Sequence, residues 1–217
     1  MSQAELRPDG RSERALRQRE ERRGAILDAA LEVFAARGYH HASITDLVEA
    51  AGVARGTFYL YFQSKQEVFA ALLDAMLLRF RGTIRGVDTS PGASSLETQL
   101  IDRVTGMLEA VEAARPVAKI LFREANALEA GLQGHARAIE DALHGYLQAS
   151  LDNGVRLGMI RALDTGVAAT AMYGSVRQMI DRYLLNGDPA TEPAPARPDL
   201  PRLAEEMVRL ALHGLRA

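Results

Sequence analysis

Apolar positions along this chain recur every three or four residues, and no run alternates apolar and polar between turn signals, so the pattern predicts helices and no strands. From about Ser12 to Gly38, the side chains Ile26, Ala30, Val33 and Phe34 share one face, and Gly38 is a natural stop. Ser43-Ile44-Thr45-Asp46 reads as a capping-box-like start of a helix that ends at Gly52. A short helix follows over about Arg55 to Phe62, and a longer one from Lys65 to about Arg85. Pro91 and Gly92 mark a loop. Further helices are predicted over about 96–114, from Pro116 through PVAKILFREANAL, over 134–156, over 164–185 and over 201–215. The proline-rich stretch 186–200 cannot continue a helix. The expected fold class is all-α, with about nine helices: a three-helix N-terminal helix-turn-helix domain, then a C-terminal helical bundle.

Composition narrows the class without naming a function. The chain has 217 residues, 47% apolar and 25% charged, with a formal net charge of -2, as in an ordinary soluble globular protein. Residues 1–65 hold 10 Lys+Arg against 9 Asp+Glu, so global charge announces no nucleic-acid partner. Locally, six arginines and three glutamates fall between Arg11 and Arg23, a solvated helix face or a DNA-reaching arm. There is no cysteine, which excludes disulfides and thiolate chemistry. The N-terminus lacks a secretory h-region and no apolar run is long enough to span a membrane, so a cytoplasmic location is expected. His135 and His144 are nine apart on one predicted helix and face opposite ways, and no metal site is expected.

The stretch SITDLVEAAGVARGTFYLYFQSK, Ser43 to Lys65, carries the chemistry. Two helices joined by a short glycine-containing turn form a helix-turn-helix. Phe58 and Phe62, four apart, share an inward face, leaving Arg55, Tyr59 and Tyr61 to point outward; a phenol beside a cation suits a phosphate. The run from Ala51-Gly52-Val53-Ala54-Arg55-Gly56-Thr57-Phe58-Tyr59 through Tyr61-Phe62 to Ser64-Lys65 resembles the DNA-binding signature of the TetR family of bacterial transcriptional regulators. The preceding ILDAALEVFAARGYHHAS resembles that family's first helix and the loop after it. The resemblance implies that Ser43 caps the first helix of the motif and that Thr45 lies at a contact position. It puts Ala54, Arg55 and Gly56 at the start of the recognition helix, with Thr57, Tyr59 and Tyr61 towards phosphates or bases and Lys65 on a phosphate. Position 61 is often His in the family and is Tyr here. An arginine at 55 can pair bidentately with a guanine, worth about 1–3 kcal/mol of discrimination.

The expected division is 1–21 as an arm or start of the first helix, 22–66 as the DNA-binding domain and 67–217 as the ligand-binding and dimerisation domain, with 67–86 connecting them. The 164–185 helix is apolar on nearly every side, which predicts burial on nearly every side. Its small-residue face (Ala168, Ala171, Met172, Ser175, Met179), with Leu203, Met207 and Leu210 of the last helix, is the expected dimer surface. Pocket candidates are Phe80, Met107, Phe122, His144, Leu147, Tyr173 and Arg177, with Glu124 or Glu140 available to meet Arg177; Arg123, Glu124, Asn126 and Tyr146 are further polar candidates, Arg123 and Glu124 being equally readable as a surface pair. The implied partners are a duplex-DNA operator, a small-molecule effector and a second copy of the chain, with no cofactor, no metal and no membrane. A helical enzyme and a protein-binding adaptor are the rival classes; the enzyme reading finds no Walker loop, G-x-S-x-G or H-E-x-x-H.

Overall fold

The computed structural model describes residues 10–83, 86–124, 128–186 and 199–215, and these contain helices and turns but no strand. The helices are α1 (Gly10–His41), α2 (Ile44–Ala50), α3 (Arg55–Tyr59), α4 (Lys65–Thr83), α5 (Leu96–Ala113), α6 (Arg115–Glu124), α7 (Ala130–Arg156), α8 (Thr165–Met179) and α9 (Leu200–Leu215). A π-helical turn, Ile180–Leu185, continues α8. The expected loop over 186–200 lies mostly outside the described residues, as do Asn126 and the end of the 65–85 helix. No described helix is long and apolar enough to cross a membrane.

The chain divides into two compact units at Leu72–Leu73, inside α4. In the first unit, Ile26, Ala30 and Phe34 of α1 are buried with Leu47 of α2, Phe58 of α3 and Val68 and Phe69 of α4. Gly38 breaks α1 at φ 72°, ψ 166°, a region open to glycine at little cost, and the chain then turns Tyr39 fully inward. The Tyr39 ring sits 4.9 Å from Phe69 and 5.6 Å from Phe34, centroid to centroid. Gly52, at φ 61°, makes the turn between α2 and α3.

In the second unit α5 packs on α9, α7 on α8, and α6 on the π-helical turn. Asp164 caps α8 by accepting from Val167 N at 3.0 Å, and Ser95 caps α5 by accepting from Thr98 N at 3.1 Å. Beyond α7, Met159 N and Ile160 N both donate to Gly154 O, folding Ile160 back over a glycine whose missing Cβ leaves the space.

One expectation is overturned here. The 164–185 helix is not buried on every side: Ala169 is the one buried residue of α8, while Val167, Ala171, Gly174, Ser175 and Gln178 are exposed. Apolar character all round reflects burial only if something covers every face, and among the described residues one face of α8 is left uncovered.

Candidate functional site

The helix-turn-helix is assembled by caps at one end and aromatic burial at the other. Ser43 Oγ accepts from Asp46 N at 3.2 Å while Asp46 accepts from Ser43 N at 2.8 Å, so the capping box closes in both directions although its acid is the shorter Asp. Arg37 reaches the same carboxylate at 2.6 Å. The hydrogen bonds from Ser43, foremost, hold the Asp46 carboxyl below the ordinary carboxylate range, with Arg37 adding to them. Phe58 and Phe62 are buried, their centroids 6.1 Å apart. Their burial fixes the rotation of α3 and turns Ala54, Arg55, Gly56 and Leu60 outward, with Thr57, Tyr59 and Tyr61 half-buried beside them. The Arg55 guanidinium lies 6.0 Å from the centre of the Tyr59 ring, and Thr45 is exposed on α2. The recognition helix is shorter than its sequence pattern, ending at Tyr59 instead of Phe62.

Lys65 departs from its expected place on a phosphate. Its Nζ donates to the carbonyls of Tyr39 at 2.7 Å, Ala42 at 3.0 Å and His40 at 3.4 Å, and lies 4.4 Å from the centre of the Tyr39 ring. An ammonium has three protons, and all three are engaged at the carboxyl end of α1. A cation is well placed there, where carbonyls have lost their helical partners. The residue ties the start of α4 to the end of α1.

In the second unit an arginine-rich cleft of about 260 Å³ opens among Phe122, Arg123, Gln133, Arg137, Glu140 and Arg177. Arg177 donates to Glu140 at 2.7 Å and to Phe122 O at 3.2 Å, so its partner is the second of the two carboxylates expected for it. Arg123 pairs with Asp181 at 2.7 Å and with Asn186 at 2.9 Å, and the side chain of Glu124 lies outside those described. The Tyr173 hydroxyl is buried and meets no partner in hydrogen-bonding geometry, though Glu140 and Arg177 stand close enough to bias its ionisation. Burial, foremost, and the Glu140 charge push it up to about 12. Of the expected pocket residues, Phe122 and Arg177 line the cleft; Phe80, Met107, His144, Leu147 and Tyr173 do not. His144 instead shares a hydrogen bond of 2.8 Å with Thr170. Of the expected dimer residues, Ala171, Ser175 and Leu210 are exposed and Ala168, Met172, Met179 and Leu203 are half-buried. Met207 is buried in its own chain, on the inward side of α9 with Ala204 and Val208.

Residues 26–72 match the model of the bacterial regulatory proteins of the tetR family, and residues 93–215 match a tetracyclin repressor-like C-terminal domain. The HTH-type transcriptional regulator YdgC of Bacillus subtilis strain 168 is 30% identical, over 90% of this chain and 93% of its own. The chain belongs to the TetR family.

Among other relatives, the fatty acid metabolism regulator protein of Bacillus subtilis strain 168 is 26% identical over 88% of this chain and 93% of its own. The fatty acid degradation regulator FadR from Bacillus halodurans superposes with a TM-score of 0.68 at 25% identity, covering 90% of this chain and 96% of that one. Both relatives are named as regulators, YdgC as a transcriptional one, and this TetR-family chain is a helix-turn-helix transcriptional regulator. Among its described residues no group of three or more His, Cys, Asp or Glu could hold a metal.

Three features of this regulator went unread in its sequence. Tyr39 looks like a loop residue and is the hub of an aromatic cluster, because only the Gly38 break aims it inward. Leu60 resembles a core residue by type and is 72% exposed at the end of α3. Asp181 is Arg123's partner across 58 positions, a pairing no local pattern signals.

Proposed function

We propose that this regulator is a homodimeric repressor that leaves a palindromic operator when a fatty acyl compound with an anionic head binds in the second unit. The observation that carries the effector site is the cleft lined by Arg123, Arg137, Glu140 and Arg177, with the buried Tyr173 hydroxyl beside the Arg177–Glu140 pair. Arg123, Arg137 and Arg177 around the same cleft favour an anion, and relatives named for fatty acid metabolism and degradation supply the acyl class. On the DNA side, Arg55, Gly56, Tyr59 and Leu60 form the reading face, with Thr45 beside it. Release follows only if the effector favours a state in which the two recognition helices no longer match their half-sites. α4 belongs to both units and is the segment through which such a preference would pass.

Calorimetric titration with stearoyl-CoA, stearate and coenzyme A tests the head and the chain separately. Binding of an acylated ligand but not of coenzyme A is expected, with release of an operator selected by the wild-type protein. Arg177→Met is expected to weaken the acyl ligand at least about tenfold, roughly 1.4 kcal/mol. Failure of both acyl ligands to bind, or undiminished affinity in Arg177→Met, would overturn the effector assignment.

A further inference from the structure

The HTH is not the whole basic surface of the first unit. α1 begins at Gly10, well before the stretch that packs into the core, and every residue from Glu13 to Arg23 is exposed. At about 100° per residue, Arg14, Gln18, Arg22, Ala15, Arg19 and Arg23 occupy one half of the helix circumference, and Leu16, Glu20, Glu13, Arg17 and Glu21 the other. Charge is therefore segregated: four arginines and no acid on one side, three glutamates on the other. A helix built only to stay in solvent gains from opposite charges spaced i to i+4, and Glu13 and Arg17 make such a pair at 3.9 Å. The arginine half does the reverse. Arg19 has Arg22 three positions on and Arg23 four positions on, spacings at which like charges repel. Among the described residues no carboxylate pairs with Arg14, Arg19 or Arg22, so nothing within them offsets that repulsion.

The arginine half also has a direction. It lies on the side of α1 that carries Ile26, Ala29, Ala30 and Val33 into the core further along, the side on which α2 packs. The Arg23 guanidinium sits 5.2 Å from the centre of the Phe62 ring, which follows the recognition helix by three residues. Arg23 thus places the start of the exposed part of α1 beside Phe62, with Arg19 and Arg22 within about a turn of it along the helix. From Arg23 to Arg14 the strip runs on for roughly 13 Å, at about 1.5 Å per residue.

We propose that residues 13–23 of α1 form a second DNA contact, an arginine-faced arm that binds phosphates of the duplex beside the site read by α3. The external anions are the missing counter-charges of the strip. Guanidinium groups suit them, because each offers a fork of donors to phosphate oxygens. Such contacts carry no sequence preference and add affinity, on operator and on other DNA alike.

The arm rests on DNA binding by the helix-turn-helix, and the experiment separates the two. The triple variant Arg14→Gln, Arg19→Gln, Arg22→Gln keeps helix-forming side chains and removes three cations from the strip. Its binding to a duplex selected from a random pool by the wild type, and to a mixed-sequence duplex, is measured across a salt series. With three phosphates lost, the slope of log K against log salt should fall by about 2.7 per protomer on both duplexes, with base preference unchanged and the melting temperature not lowered. Arg17→Gln, on the acidic half and paired with Glu13, should leave the slope at its wild-type value. A triple variant with the wild-type slope, or with no greater change than Arg17→Gln, overturns the arm alone. So does a variant that alters base preference while keeping the slope. A wild type that selects no duplex overturns both readings.

Discussion

Gly56 occupies the second position of α3, where alanine would hold a helix better by up to about 1 kcal/mol. Its φ is not positive and a Cβ built there meets nothing within 4 Å, so neither backbone nor packing inside the protein asks for glycine. We propose close approach of DNA to the backbone as the reason. Gly56→Ala is expected to raise the melting temperature of the first unit and to weaken operator binding; unchanged binding would show that no close approach occurs. Asp46 supplies a pH dependence at the same scale. Its carboxyl titrates lower in the folded chain than in the unfolded one, so its stabilisation is present above the ordinary carboxylate range and is lost as pH falls through the folded value. Acid melting should therefore be shallower between neutral pH and the low carboxylate range in Asp46→Asn than in the wild type, followed by circular dichroism. Both residues were legible in sequence, one as part of a signature and one as part of a capping box, because each acts within a few positions of itself.

Elements joined across the sequence behave differently. Lys65 reads as a phosphate ligand from its place in the motif, yet its protons go to carbonyls of Tyr39, His40 and Ala42, more than twenty residues away. Lys65→Met should therefore destabilise the first unit, by about 1.5–3 kcal/mol for the charge-assisted bonds lost. The salt slope of the folded variant's DNA binding should stay at the wild-type value. A slope lower by about 0.9, with stability intact, would restore the phosphate role. The length of α3 went the same way. Phe62 falls on the inward face at helical spacing with Phe58, but the α-helix ends at Tyr59, and hydrogen bonds to Phe58 O from Tyr61 N at 2.9 Å and Phe62 N at 3.0 Å close a turn there. Periodicity registers which face a residue lies on, and it does not register where the hydrogen-bond ladder stops.

For the whole molecule, the uncovered side of α8 and α9 defines the next test. On α8, Val167 is 66% exposed and shares a face with the small side chains Ala171 and Ser175, which allow close helix approach, and on α9 Leu210 is 67% exposed. A second copy of the chain covering this surface would form a two-fold interface. Leu210→Glu should then shift the protein towards monomer in sedimentation, with its helical content kept, and weaken binding to a palindromic operator. Dimer stability unchanged by Leu210→Glu would place the interface elsewhere. The sequence alone determined the all-α class, the helix-turn-helix and the inward Phe58 and Phe62, because helical periodicity, glycine turns and caps are set by neighbours a few residues apart. Only the tertiary structure decided that Lys65 staples α1 to α4, that Glu140 meets Arg177 and Asp181 meets Arg123, that Met207 turns inward, and that α8 keeps a bare face. Each of these depends on which distant segment arrives beside a given side chain, and a burial pattern records how apolar a face is without recording what covers it.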